Sequence, residues 1–237
     1  MKLSTETLNL LKNYASINTN ILFRQGNTLS TVSPGKNIFA RATVTETFPR
    51  EFAVYDLNSF LSLLTFMEDQ DVEFSEKSIK VTKDGSEFEY FYSDPGTVTA
   101  APDKSLEIEP FWSFELSSDM INTLLRASAI TGAPMISVVS DSKSVVLKVG
   151  DPNNQSSNSF KKTIAGEAPV FDCRLKTENL KVISDNYTVS LGRKRAMSLV
   201  SKGRDLTYYL ALDPSSSASS MRFLHPNCLI RCRSFRR

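Results

Sequence analysis

The chain has 237 residues, 41% of them hydrophobic, with 28 Lys and Arg against 26 Asp and Glu for a formal charge of +2. That length suffices for two domains of ordinary size, each with its own core. No apolar run approaches the roughly 18 residues of a membrane span, and three cysteines, Cys173, Cys228 and Cys232, provide no disulfide framework, which points to a reducing compartment.

Met1-Lys2-Leu3-Ser4-Thr5-Glu6 turns polar too early for a secretory signal. The first predicted element is a helix over 5–17, with Ser4 as N-cap and Glu6 in the first turn. Its apolar face is Leu8, Leu11 and Ala15, with Leu10 and Tyr14 alongside; Thr5, Asn9, Lys12, Asn13 and Ser16 form a polar, nearly uncharged stripe. Strand patterns follow at 21–24, 28–32, 38–44 and 52–55, separated by Gln25-Gly26-Asn27 and Pro34-Gly35 turns. Asp56 caps a second helix over 56–67 that buries Leu57, Phe60, Leu61 and Leu64 and shows Asn58, Ser62 and Thr65. Strands at 72–74, 78–82 and 87–92 come next, with Lys83-Asp84-Gly85 as a hairpin turn. Residues 97–110, which hold Pro102 and Pro110, read as an extended connector.

The same order then returns, offset by about 115 residues, roughly one domain length. A helix over 118–130, capped by Ser117 or Ser118, buries Ile121, Leu124, Leu125 and Ser128 and shows Asp119, Asn122, Thr123 and Arg126. Strands are expected at 135–140, 144–149, 159–164 and 170–175. A fourth helix over 176–184 buries Leu180 and Ile183 and exposes Lys181, and strands at 187–191, 196–201 and 206–212 close the half. Four helices among about fourteen strands give an α+β chain dominated by antiparallel sheet. Two similar domains, 1–108 and 109–214, precede a Ser-rich linker and basic tail over 215–237 that is expected to be disordered.

The tail holds five arginines (Arg222, Arg231, Arg233, Arg236 and Arg237) and no acid, so the rest of the chain carries a net −3. A mildly acidic body does not grip DNA by bulk charge; any DNA contact must be confined to one surface. Catalysis finds no apparatus. The single histidine, His225, lies in the tail, which leaves no Ser-His or Cys-His pairing in either domain. No phosphate-cradling glycine loop occurs, the carboxylates are scattered, and Cys228, Cys232 and His225 lack a further ligand pair for a metal. No cofactor is expected.

Several stretches in colinear order then become recognisable: Met1-Lys2-Leu3-Ser4, Leu10-Leu11-Lys12-Asn13, Ile17-Asn18, Tyr55-Asp56-Leu57-Asn58 with Phe60-Leu61, Asp94-Pro95, Thr97-Val98, Ala101-Pro102, Leu124-Leu125-Arg126 and Asn186-Tyr187. From Met1 to about Asp213 the chain resembles the phage T4-type DNA polymerase sliding clamps. The resemblance implies a DNA clamp fold in which three two-domain copies close head to tail around duplex DNA, helices inside and sheets outside. It also implies a replicative DNA polymerase, an ATP-dependent clamp loader and viral transcription factors as partners, in the cytoplasm of an infected host cell. Such a ring binds DNA without reading its bases, so its inner face needs few cations.

Lys2, Lys12, Arg126, Lys176 and Lys181 are the candidates for the DNA-facing surface. Members of the resembled family carry a second basic residue three positions after Arg126, where this chain has Ala129, and the second helix has no cation at all. The ring is therefore expected either to hold DNA more loosely than its relatives or to use Arg24, Lys36 or Arg41 from loops instead. For the seam between copies, the edge Glu87, Phe88, Glu89, Tyr90 is matched with Phe160, Lys161, Lys162 of the next copy. Phe111, Trp112, Leu212 and Pro214 form a candidate pocket for partner peptides. The reading that competes with the clamp is a β-rich interaction scaffold that does not bind DNA.

Overall fold

A computed structural model of the protein describes residues 1–66, 71–83, 85–104, 106–154 and 156–218. The expectations about Asp84 and about His225, Cys228, Cys232 and the arginines of the tail fall outside the described residues. The chain divides into two compact units: Met1–Gly35, Phe39–Ser105 and Arg204–Leu206 in the first, Lys36–Ile38, Leu106–Gly203 and Thr207–Arg237 in the second.

The first unit opens on α1 (Thr5–Ile17), where the Ser4 hydroxyl accepts from the Thr7 N–H at 3.2 Å, as an N-cap should. Its buried face is Thr7, Leu10, Leu11, Tyr14, Ala15 and Ile17. Then come β1 (Ile21–Phe23), β2 (Gly26–Val32), β3 (Ile38–Phe48), β4 (Phe52–Val54), α2 (Leu57–Phe66), β5 (Val72–Phe74), β6 (Ser78–Lys83) and β7 (Ser86–Phe91). β1 pairs with β4, β2 with β3, and β5, β6 and β7 form an antiparallel meander with β7 at one edge. The core is aromatic: Phe23 stacks on Phe52 at 4.4 Å and meets Phe48 at 5.1 Å and Phe60 at 6.1 Å. Such ring pairs add directional packing to the apolar area they bury.

In the second unit the order is β8 (Pro110–Leu116), α3 (Ser118–Thr131), β9 (Met135–Ser140), β10 (Val145–Gly150), β11 (Phe160–Ala165), β12 (Phe171–Lys176), a 3-10 turn at Thr177–Asn179, β13 (Tyr187–Gly192), β14 (Ala196–Ser201), β15 (Leu206–Ala211) and β16 (Ser217–Ala218). One sheet runs β11-β10-β9-β12-β16; the other takes β15, β14, β13 and β8 in that order. α3 is capped by Ser117, receives Asn186 Oδ1 on its Ser118 N–H at 3.0 Å, and stops at Gly132, whose φ of 64° is the left-handed turn that glycine adopts without strain. Helix, four strands, a turn or helix, and three strands thus recur in both units.

Each of the fourteen expected strands is present. Three expectations are corrected. The helix over 176–184 does not form. Lys176 closes β12, the 3-10 turn takes three residues, and Ile183 gives its carbonyl to the Tyr187 hydroxyl at 2.6 Å and its N–H to the Tyr208 hydroxyl at 3.3 Å. Two core tyrosines satisfy the backbone groups that a helix would otherwise pair internally. Secondly, the connector leads into a strand that was not expected, Pro110–Leu116, with Pro110 at its first position, where the missing N–H costs nothing. Thirdly, 215–218 is not linker. Ser217 and Ala218 pair with Asp172 and Phe171, and the buried Ser216 hydroxyl accepts from the Arg174 N–H at 2.9 Å.

Candidate nucleic-acid face and sheet edges

The exposed faces of the helices are polar and sparsely charged. α1 shows Thr5, Glu6, Asn9, Lys12 and Ser16; α2 shows Asn58, Ser59, Ser62 and Thr65, with Phe66 exposed at its end; α3 shows Asp119, Asn122, Arg126, Ala129 and Ile130. Hydroxyls on these faces are turned back on their own helices. Ser16 donates to the Asn13 carbonyl at 2.6 Å, Ser62 to Asn58 at 2.9 Å, Thr65 to Leu61 at 2.8 Å and Thr123 to Asp119 at 2.8 Å. In this arrangement each hydroxyl spends its proton on its own helix and turns lone pairs outward. Lys12 and Arg126 are the cations of these three faces.

The other basic candidates separate. Lys2 is exposed just ahead of α1, and Lys181 is exposed in the loop after the 3-10 turn. Lys176 is not on a helix. On β12 it alternates to the side of Asp172 and Arg174, away from buried Phe171, Cys173 and Leu175, and its ammonium lies 3.8 Å from Glu178. Arg24 and Arg41 are committed elsewhere: Arg24 donates to the Ala101 carbonyl at 2.8 Å and pairs with Asp103 at 2.5 Å, and Arg41, which lies in β3, donates to the Asp103 carbonyl. They pin the connector to the first unit. Lys36 is exposed at the β2–β3 turn with φ of 54°.

β7 and β11 are sheet edges. In β7, Glu87 and Glu89 point to the side of Lys80 and Glu73, with Lys80 3.1 Å from Glu87 and the Ser78 hydroxyl donating to Glu89 at 2.6 Å. The hydrogen bond it donates to Glu87, then the charges of Glu87, Glu89 and Glu73, hold the Lys80 ammonium above its ordinary pKa. Phe88 and Tyr90 take the opposite side; the Tyr90 ring packs 5.1 Å from Phe60, and burial, then the Asp56 charge, raises its phenol. In β11, Lys161 stands opposite Lys148, whereas Lys162 stands opposite buried Leu147. Lys161 and Lys162 therefore occupy different faces of the sheet.

The four residues proposed for a partner pocket have different settings. Phe111 is the extra residue of a bulge in β8, which lets both its ring and that of Trp112 reach Phe171, at 5.5 and 5.2 Å. Leu212 is buried and lines an apolar cavity of about 30 Å³ with Phe114, Leu124, Cys173 and Met197; Phe111, Trp112 and Pro214 are not in that lining. Pro214 is exposed. Burial, then the Asp172 charge, pushes the Cys173 thiol up to about 12, which keeps it un-ionised.

Two functional-looking residues escaped the sequence reading. Glu46, on β3, is a buried carboxylate that caps α1, and Lys148 is the cation beside Lys161. Neither has a local signal: Glu46 sits in an alternating strand like any outward acid, and Lys148 becomes notable only once β11 is laid next to it. Among the described residues, no group of three or more His, Cys, Asp or Glu could hold a metal ion.

This fold recurs in solved clamps. A. fulgidus PCNA bound to the C-terminal region of FEN-1 superposes with a TM-score of 0.63 over 89% of this chain and 96% of that one, at 18% identity. Residues 4–95 match the family described as DNA polymerase processivity factor. The sliding clamp of Vibrio phage KVP40 is 32% identical over 225 residues, covering 90% of this chain and 99% of the relative. That of Enterobacteria phage T4 is 28% identical over 228 residues, covering 92% and 99%. The architecture is the DNA clamp fold. Within it the chain belongs to the T4-type sliding clamps, the processivity factors of phage DNA polymerases. The family resemblance, the α+β clamp class and the non-enzymatic reading hold.

Proposed function

We propose that three copies of this chain join head to tail into a ring that encircles duplex DNA and tethers the replicative polymerase. The two domains, 1–108 and 109–214, alternate around it. The reading is carried by the pair of open edges, acidic β7 in the first unit and basic β11 in the second: a rotation that repeats one such junction closes a ring without leaving either edge bare. Lys2, Lys12, Arg126 and Lys181 face the DNA. Their low number, with hydroxyls that accept rather than donate, supports sliding over gripping. An ATP-dependent loader opens the ring, since the chain has no nucleotide-binding loop of its own. The polymerase, and viral transcription factors in the infected cell, dock through peptide tails beside Phe111, Trp112 and Pro214, with Leu212 buried beneath the surface; that a clamp can hold a partner by a terminal segment is supported by the C-terminal region of FEN-1 bound to A. fulgidus PCNA.

Mass in solution tests the assembly, which requires three times the chain mass of 26.4 kDa. Topological binding is tested by loading the clamp on circular DNA and washing with salt. Retention on circles and loss after linearisation is expected; a single-copy mass, or equal loss from both, returns the protein to the class of interaction scaffolds.

A further inference from the structure

The side of the β10-β9-β12 sheet turned away from α3 is more cationic than any of the helical faces. Leu147 of β10, Val138 of β9 and Cys173 and Leu175 of β12 line the apolar cavity together with Leu124 of α3. The residues that alternate with them point outward: Lys148 and Gly150 on β10, Ser137 and Val139 on β9, and Asp172, Arg174 and Lys176 on β12. Three cations and one carboxylate thus share this face, in a chain that carries a net −3 outside its tail. Lys148, Ser137 and Arg174 form one row across the three strands. Neighbouring strands lie about 4.8 Å apart, so the two cations of the row start from backbone positions roughly 10 Å apart. A cleft of about 50 Å³ opens on this row, with Val139, Gly150, Pro152 and Asp172 completing its lining. Gly150 leaves room for the Lys148 stem, since a Cβ there would stand 3.4 Å from Lys148 Cε. Two polar groups of the cleft lack a complement. Lys148 has no ion-pair partner among the described residues. Asp172 gives Oδ2 to the Arg174 guanidinium, at 2.6 Å from Nη2 and 3.0 Å from Nε, while its buried Oδ1 accepts nothing. A buried acceptor in that state calls for a donor.

We propose that this face docks an extended acidic peptide of a partner protein, laid across β10, β9 and β12, with carboxylates on Lys148 and Arg174 and a backbone N–H turned to Asp172 Oδ1. In an extended chain alternate side chains share one side at about 7 Å. The long stems of Lys148 and Arg174 cover the remaining distance, so the matching segment carries Asp or Glu at alternate positions. The acceptor at Asp172 decides against a nucleic-acid strand, which the same cations would attract. A DNA backbone supplies acceptors only and would set its phosphates against the Asp172 carboxylate. Nor do the outward residues include an aromatic ring on which a base could stack. This surface is separate from the pocket beside Phe111 and Trp112, whose rings pack on Phe171 at the opposite side of β12.

Fluorescence anisotropy of a labelled peptide of alternating Glu and Ser, titrated with the full chain, tests the site, with mass in solution followed in the same samples. Lys148→Ala and Arg174→Ala should each weaken binding by roughly two- to fivefold. Lys77→Ala, which removes an exposed cation of the first unit, should leave it unchanged. Asp172→Ala gives the sharper reading. It takes a negative charge off the face, so a surface that only attracts anions would bind more tightly. A peptide site loses its N–H acceptor and binds roughly twofold or more weakly. Lys148 is half-exposed, so its alanine variant keeps the fold and carries the test should loss of Asp172 unseat Arg174. Absence of binding, tighter binding by Asp172→Ala, or equal displacement of the peptide by an oligothymidine strand would each overturn the proposal, the last two in favour of a general polyanion surface. A fall in copy number when the peptide is added would overturn it too, by giving these cations to the junction between copies.

Discussion

Glu46, on β3, accepts the hydroxyl of Thr7 at 2.6 Å, so the first turn of α1 is closed by a strand side chain 39 residues along the sequence. The same carboxylate takes the Ser4 N–H. A helix N-terminus has four N–H groups without intrahelical partners and the positive end of the dipole, so a carboxylate there is doubly suited. One buried acid thereby fixes how α1, which carries Lys12, is seated on its sheet.

That arrangement makes stability depend on pH. Burial raises the Glu46 carboxyl, but the hydrogen bonds from the Ser4 backbone and the Thr7 and Ser4 side chains outweigh it and hold the group below its ordinary 4.5. A lowered folded-state pKa means stabilisation that is complete above the unfolded value and is lost as pH falls through the folded one. Glu46→Ala leaves two donors unanswered and costs about 1–3 kcal/mol, a fall in Tm of roughly 3–10 °C. Thermal unfolding against pH should show the gap between the native protein and Glu46→Ala at neutral pH and its narrowing in acid below about pH 4.5. A gap that stays constant down to pH 3 would mean that the charge of Glu46 contributes nothing.

What the sequence disclosed, and what it withheld, follows the range of the interactions. α1 and α3 could be read because cap, apolar stripe and stop lie within one window, at Ser4 and Asn18 and at Ser117 and Gly132. The strands could be read from period-two patterns such as Tyr187–Gly192. The fourth helix failed because Leu180 and Ile183 fit a helical spacing equally well in a strap, and the deciding partners, Tyr187 and Tyr208, lie beyond the segment. Of the candidate surface, Lys12 and Arg126 were legible as exposed helical cations. Lys176 was not, because its side follows from β12 and not from any helix. The separation of Lys161 from Lys162 was available from alternation alone, but its meaning required Lys148 across the ladder.

The placement of the cations gives a discriminating experiment on DNA. Each phosphate contact neutralised contributes about 0.9 to the slope of log affinity against log salt on duplex DNA. Lys12→Ala and Arg126→Ala should each lower that slope and shorten retention of the loaded clamp on circles as salt rises. Lys176→Ala, on the outer side of β12 and beside Glu178, should leave both unchanged. Equal losses for all three variants would mean that the helical faces are not the surface that meets DNA.

The strap over 180–186 presents Lys181 without a helix, and two hydroxyls hold it. Tyr187 and Tyr208 are both fully buried, with their rings 6.1 Å apart, and grip the carbonyl and the N–H of Ile183 respectively. Tyr→Phe at either position removes one oxygen and leaves the ring packing in place, so the loss reports the hydrogen bond. An unanswered buried backbone group costs about 1–3 kcal/mol, and the two losses should add to less than their sum because both act on one residue. Hydrogen exchange should show faster exchange at Ile183 in Tyr208→Phe, with α3 unchanged. If the segment were a helix, as its spacing suggests, an alanine at Thr177 or Ser184 would stabilise it and the tyrosine hydroxyls would be dispensable. A stable Tyr187→Phe, Tyr208→Phe double variant with slow exchange at Ile183 would return the segment to that description.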